Sequence, residues 1–127
     1  MTNELEKPIG TKEASKLSAG SVIVENITIE PAKEGSKAKI VKFHCKHPDK
    51  IEIIVLSNVL IKKTQGNNIN IKKDAMWYNL DDDENIRKTS NLAEVMRFYR
   101  KNSLKEFIGS PVNTELDASG YLAIKAY

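Results

Sequence analysis

Three groups of side chains in this sequence could do chemistry, and their spacing decides what each could do. The first is the acidic run Asp81, Asp82, Asp83 and Glu84 inside "WYNLDDDENIRK". A calcium loop of the EF-hand kind would take its first, third and fifth ligands from Asp81, Asp83 and Asn85. It would also need glycine sixth and glutamate twelfth, where this chain has Ile86 and Leu92. Without the sharp turn and the bidentate ligand, the run reads as the tip of a hairpin at Asp82 to Asn85. Aspartate and asparagine tolerate turn dihedrals there, and Leu80 is expected to pair across from Ile86 or nearby.

The second group is "HCKH", which gathers His44, Cys45 and His47. Adjacent residues of a strand point to opposite faces, and the chain holds no fourth cysteine or histidine, so a structural zinc site is not expected. Cys45 shares its parity with Val41 and Phe43, which places it in the core between surface histidines. Burial there also argues against a thiol nucleophile, which needs exposure and a neighbouring base. No nucleophile elbow, phosphate loop, zinc-protease motif or dinucleotide fingerprint occurs, and Glu94, Glu106 and Glu115 form no acid and base pair. Neither enzymatic activity nor a cofactor is expected.

The third group is basic and aromatic. From Pro31 to Lys73 there are ten lysines and no arginine against Glu34, Asp49 and Glu52, a local balance of +7 within a chain of net charge +3. Clustered cations favour an anionic partner, because they raise the local potential and release counterions on meeting phosphates. A solvated lysine surface is the plainer alternative. Lys42, His44 and Lys46 alternate along one stretch, Lys62 and Lys63 close another, and Lys72 and Lys73 precede the aromatic pair Trp77 and Tyr78. Alternation allows one ring of that pair to be exposed while the other packs inward. An exposed ring between lysines suits single-stranded nucleic acid: cations track the phosphates, and a flat face stacks a base for about 1–3 kcal/mol. Arg87, in the basic pair that ends "WYNLDDDENIRK", completes the candidate set.

The elements that must position these groups are mostly strands. At 127 residues, 40% apolar and 29% charged, the chain is expected to fold as one domain over residues 20–127, preceded by a partly ordered arm at 1–19. No apolar run approaches the roughly 20 residues of a membrane span, the opening lacks the blocks of a secretory signal, and one cysteine makes no internal disulfide. A cytoplasmic home is the expectation. "SVIVENITIE" reads as a strand covered on both sides in its first half, and "AKIVKFHCKH" as a second, cleanly alternating one. "IEIIVLSNVLIKK" is central or bent near Ser57-Asn58, and the parity of "INIKKDAMWYNL" slips, which a bulge at Lys72 to Asp74 would reconcile.

Helical periodicity appears in Leu92, Val95, Met96 and Tyr99, with Ser90 or Asn91 as cap. "SLKEFIG" repeats the device in miniature, with Leu104, Phe107 and Ile108 inward, and "PVNTELDASGYLAIKAY" describes a terminal hairpin. Three long strands, a hairpin at the acids, a helix and a final hairpin give a mainly β fold, an OB-like barrel of five to seven strands.

By this order of elements, and by the way "SLKEFIGSPV" leads from the helix into the final hairpin, the chain from Ser21 to Tyr127 resembles OB-fold single-stranded DNA-binding proteins of the small phage and archaeal type. That resemblance implies a non-enzymatic protein of DNA replication or repair. It also implies a binding face on the second and third strands and their loops, here Lys42, His44, Lys46 and the Lys62-Lys63 end. Single-stranded DNA or RNA is the expected partner. The alternative is a protein interaction or assembly module, self-association included, that uses the same sheet or an exposed Trp77.

Overall fold

The computed structural model describes residues 18–127; the expected arm lies outside them but for its last two residues. Eight strands, one α-helix and one 3-10 turn follow in order: β1 (Ser21–Pro31), β2 (Lys39–Lys46), β3 (Ile54–Leu56), β4 (Asn58–Gln65), β5 (Asn68–Ala75), β6 (Trp77–Tyr78), α1 (Asn91–Phe98), the 3-10 turn (Leu104–Phe107), β7 (Pro111–Leu116) and β8 (Leu122–Ala126). The protein is mainly β and forms an OB-like barrel. Its strands neighbour one another in the order β3-β2-β1-β7-β8-β4-β5, every pair antiparallel except β4 with β8. The path starts at β3 and comes back to β4, which continues β3 past Ser57. The sheet therefore curls round until its two ends are joined by the chain at Ser57 and not by a ladder of hydrogen bonds.

Ser57 is the expected bend, and hydrogen bonding shows why it occurs. The Met76 N–H donates to the Ser57 carbonyl at 2.9 Å, and the Met76 carbonyl accepts from the Val41 N–H at 2.9 Å. Met76, fully buried, thus prises β3–β4 away from β2, and β6 takes the vacated edge with Trp77 opposite Ile40 and Tyr78 opposite Lys39. The parity slip falls at Met76, between β5 and β6. The expected bulge at Lys72 to Asp74 is absent, since β5 keeps an unbroken register with β4 from Asn68 to Ala75.

A bulge does occur in β1, between Val24 and Asn26. It carries Val22 and Val24 inward on one parity and Ile27 toward the core on the other, while Ile23 stays 39% exposed. The double cover expected for the start of this strand is therefore not there. The bulge also makes room for the chain arriving from the 3-10 turn: Gly109 N–H donates to the Val24 carbonyl at 2.7 Å, and Val24 N–H to the Ser110 carbonyl at 3.0 Å. Gly109 turns this corner at φ 82°, in the left-handed region that glycine enters without a steric penalty.

Inside the ring, Val41, Phe43 and Cys45 of β2 meet Val59 and Ile61 of β4, Ile124 of β8, and Leu92 and Val95 of α1. Ser90 caps α1, its Oγ accepting from the Ala93 N–H at 3.2 Å. Asn91, the other candidate cap, instead donates Nδ2 to Asp74 Oδ2 and to the Ala75 carbonyl, both at 2.9 Å. Phe107 fills the barrel end against Phe43 at 5.0 Å between ring centroids, but Ile108 lies 48% exposed rather than inward because the chain leaves the 3-10 turn there. Tyr99 locks the helix to the final hairpin, its hydroxyl donating to the Lys125 carbonyl at 2.5 Å and accepting from the Asn113 N–H at 2.9 Å.

Candidate nucleic-acid interface

The outer face of β2 carries Ile40, Lys42, His44 and Lys46, because Val41, Phe43 and Cys45 between them are all wholly buried. Antiparallel partners share a face, so β1 adds Thr28 opposite Lys42 and Asn26 opposite His44, β3 adds Val55 opposite His44, and β6 adds Trp77 opposite Ile40. Register therefore puts Trp77 on the face of the three basic residues of β2. Trp77 is half-buried, and Tyr78 takes the other side, packed against the core.

The face is less cationic than a count of lysines suggests. Lys42 Nζ lies 3.0 Å from Glu30 Oε2, and His44 Nε2 is hydrogen-bonded to Thr28 Oγ1 at 2.9 Å. Of the ten lysines between Pro31 and Lys73, three (Lys42, Lys50 and Lys73) pair with Glu30, Glu52 and Asp117. The other seven, Lys46 among them, pair with no carboxylate among the described residues. His47 does not lie on the surface beside His44. It is 2% exposed, its Nε2–H donating to the Ser18 carbonyl at 2.8 Å and its Nδ1 accepting from the Asp49 N–H at 3.0 Å. Two backbone partners at opposite ends of the ring fix that neutral tautomer.

The acidic run is a turn, as its residue types indicated. Leu80 bridges to Ile86, Asp81 N–H donates to the Asn85 carbonyl, and Asp81 Oδ1 accepts from the N–H groups of Asp83 and Asn85 at 2.9 and 3.0 Å. Among the described residues no three His, Cys, Asp or Glu side chains converge as metal ligands. Arg87 holds this hairpin with its guanidinium on the Leu80 carbonyl at 3.1 Å. With Lys37, Lys39, Asn79 and the carboxylate residues Asp81 and Asp82 it lines an open cleft of about 620 Å³ between the β1–β2 loop and the acidic turn. Sequence reasoning missed Lys37 and Lys39 as companions of Arg87, because only the pairing of β6 with β2 brings them together.

The remaining candidates stand elsewhere. The ladder between β4 and β8 ends at Ile61 opposite Ala126, yet β4 and β5 stay paired for four more rows, from Lys62–Ile71 to Gln65–Asn68. Lys62 and Lys63 therefore stand on a two-stranded ribbon that leaves the barrel, whereas Lys72 and Lys73, opposite Ile61 and Leu60 in rows that β8 also pairs, stand at the base of that ribbon. Lys62 and Lys73 share one of its faces and Lys63 and Lys72 the other, so the four do not line a single trough. Lys73 Nζ holds Asp117 Oδ2 at 2.7 Å and ties the base of the ribbon to the turn of the last hairpin. That lysine, with the N–H groups of Tyr121 and Ser119, keeps the Asp117 carboxyl below the usual range. Cys45 lies wholly inside, and burial pushes its thiol up to about 12.

Comparison with protein families, with characterised proteins and with solved structures finds no relative. The chemistry of the interface is therefore read from its own residues.

Proposed function

We propose that the protein binds single-stranded nucleic acid, DNA in particular, without catalysing a reaction, and serves DNA replication or repair. The observation that carries this reading is the register of β6 against β2, which sets Trp77 on the outer face that bears Lys42, His44 and Lys46. A base stacks on the indole, and the neighbouring cations take the phosphates. Such binding weakens with salt, since each phosphate contact releases a counterion. Anisotropy of a labelled oligothymidine across a salt series tests it. Affinity that falls with salt, together with quenching of the single tryptophan, supports the reading; absence of binding at low salt refutes it.

A second reading, a protein interaction or assembly module, draws on the apolar side chains at the rim of the same face. Ile53, Val55 and Ile51 are 46%, 51% and 99% exposed around β3. Under that reading, polar substitution of Val55 and Ile53 changes the oligomeric state seen by light scattering and leaves oligonucleotide affinity unchanged.

A further inference from the structure

The geometry points to the β4–β5 ribbon as a reader of the DNA major groove, which makes a single strand joined to a duplex the preferred ligand. The inference rests on the proposed single-strand function and adds a second contact to it. The ribbon has two unlike faces. Over the four rows beyond the barrel, one holds Lys63, Gln65, Asn68 and Asn70, and the other holds Lys62, Thr64, Ile69 and Ile71. The first is made wholly of amides and ammonium groups, without a carboxylate. Asparagine and glutamine pair with adenine edges and lysine with guanine in the major groove, and these are the types presented here.

Three further features favour a duplex over a single strand. No residue between Asn58 and Ala75 is aromatic, so the ribbon has nothing on which an unpaired base could stack. Cations project from both faces, as suits an element with phosphate walls on either side; a strand lying on a surface meets only one. Reach is the third. Four rows beyond the last barrel pair, at about 3.3 Å per residue, give about 13 Å, more than the roughly 8.5 Å depth of a B-DNA major groove wide enough for a two-stranded ribbon. The deep, narrow major groove of an RNA helix offers no such entry. At its base the ribbon is held by Asn91 on Asp74 and Ala75 and by Lys73 on Asp117, so a groove contact is transmitted to the barrel.

The test uses the full chain and labelled DNA probes: a single strand, a blunt duplex, and the same duplex carrying the single strand as an overhang. The overhang probe is expected to bind about tenfold more tightly than the single strand, the equivalent of one good groove contact. Asn68→Asp with Asn70→Asp sets negative charge on the amide face at two exposed positions, so the fold is kept and a melting curve checks it. This variant should lose the overhang advantage and keep its single-strand affinity within about twofold. An overhang probe that binds no better than the single strand overturns the inference, as does a variant that weakens both probes equally. Blunt-duplex binding that the variant abolishes, in a protein blind to single strands, would uphold the ribbon and refute the single-strand reading.

Discussion

The outer face of β2 and the β4–β5 ribbon are both basic and both built by alternation, yet they differ in what lies behind them. Behind Lys42, His44 and Lys46 stand Val41, Phe43 and Cys45, each wholly buried; behind Lys63 and Asn70 stands only the ribbon's other face, open to water. The consequence is rigidity. On the barrel, Glu30 and Thr28 hold Lys42 and His44 in place, and a ring such as Trp77 can wait in position for a base. On the ribbon, side chains keep their rotamers and lose that entropy only on binding, at about 0.5–1.5 kcal/mol for each one immobilised. A pre-formed platform suits stacking, and an adaptable one suits a groove whose base edges change from step to step.

The sharpest way to break the contrast is to remove the backing. Phe43→Ala, under the β2 face, is expected to cost about 3–5 kcal/mol in urea unfolding by leaving a cavity against Phe107. Next is the platform itself: Trp77→Ala should weaken oligothymidine binding by about 1–3 kcal/mol in anisotropy titrations at fixed salt. Ser90→Ala removes the cap of the helix that closes the barrel and should lower stability by about 1 kcal/mol in the same unfolding assay. In contrast, Ile69→Ser on the ribbon, where the side chain is 60% exposed, should move the midpoint by no more than about 0.5 kcal/mol. A loss comparable to that of Phe43→Ala would mean that the ribbon is packed against something.

The smallest effect concerns the joint between the two regions. The Asp117 carboxyl is depressed chiefly by Lys73, so the stability it adds is present above the ordinary carboxylate range and is lost as pH falls through its lower folded value. Protection of β5 amides, with exchange rates corrected for their intrinsic pH dependence, should therefore fall on acidification, and Asp117→Asn should flatten that dependence. An unchanged pH profile in the variant would remove Asp117 from the account.

Much of the barrel was legible because strands alternate and turns announce themselves. The acidic turn, the bend at Ser57, the helix after Ser90 and the terminal hairpin stand where residue types put them. The errors share a cause. A bulge in β1, the wedge at Met76 and the burial of His47 depend on partners distant in sequence: Ser110, Val41 and Ser57, and Ser18. For the candidate site, alternation separated Trp77 from Tyr78 but could not say which one faced Lys42, since that follows from pairing with Ile40. The ribbon was hidden for a similar reason. Lys62, Lys63, Lys72 and Lys73 were visible as charge, whereas their division between two faces is a matter of register, and the separation of Lys62 and Lys63 from the barrel follows from where β8 stops pairing.

Cys45 is the chain's single thiol, paired in register with Val24 on one side and Ile54 on the other. With its proton held to about 12 and no path for reagent, it stays silent until β1, β2 and β3 separate. Each alkylation event then timestamps one opening of the ring. The protein thus carries a built-in clock for its own unfolding, and the factor by which a bound oligonucleotide slows that clock measures affinity without any dye.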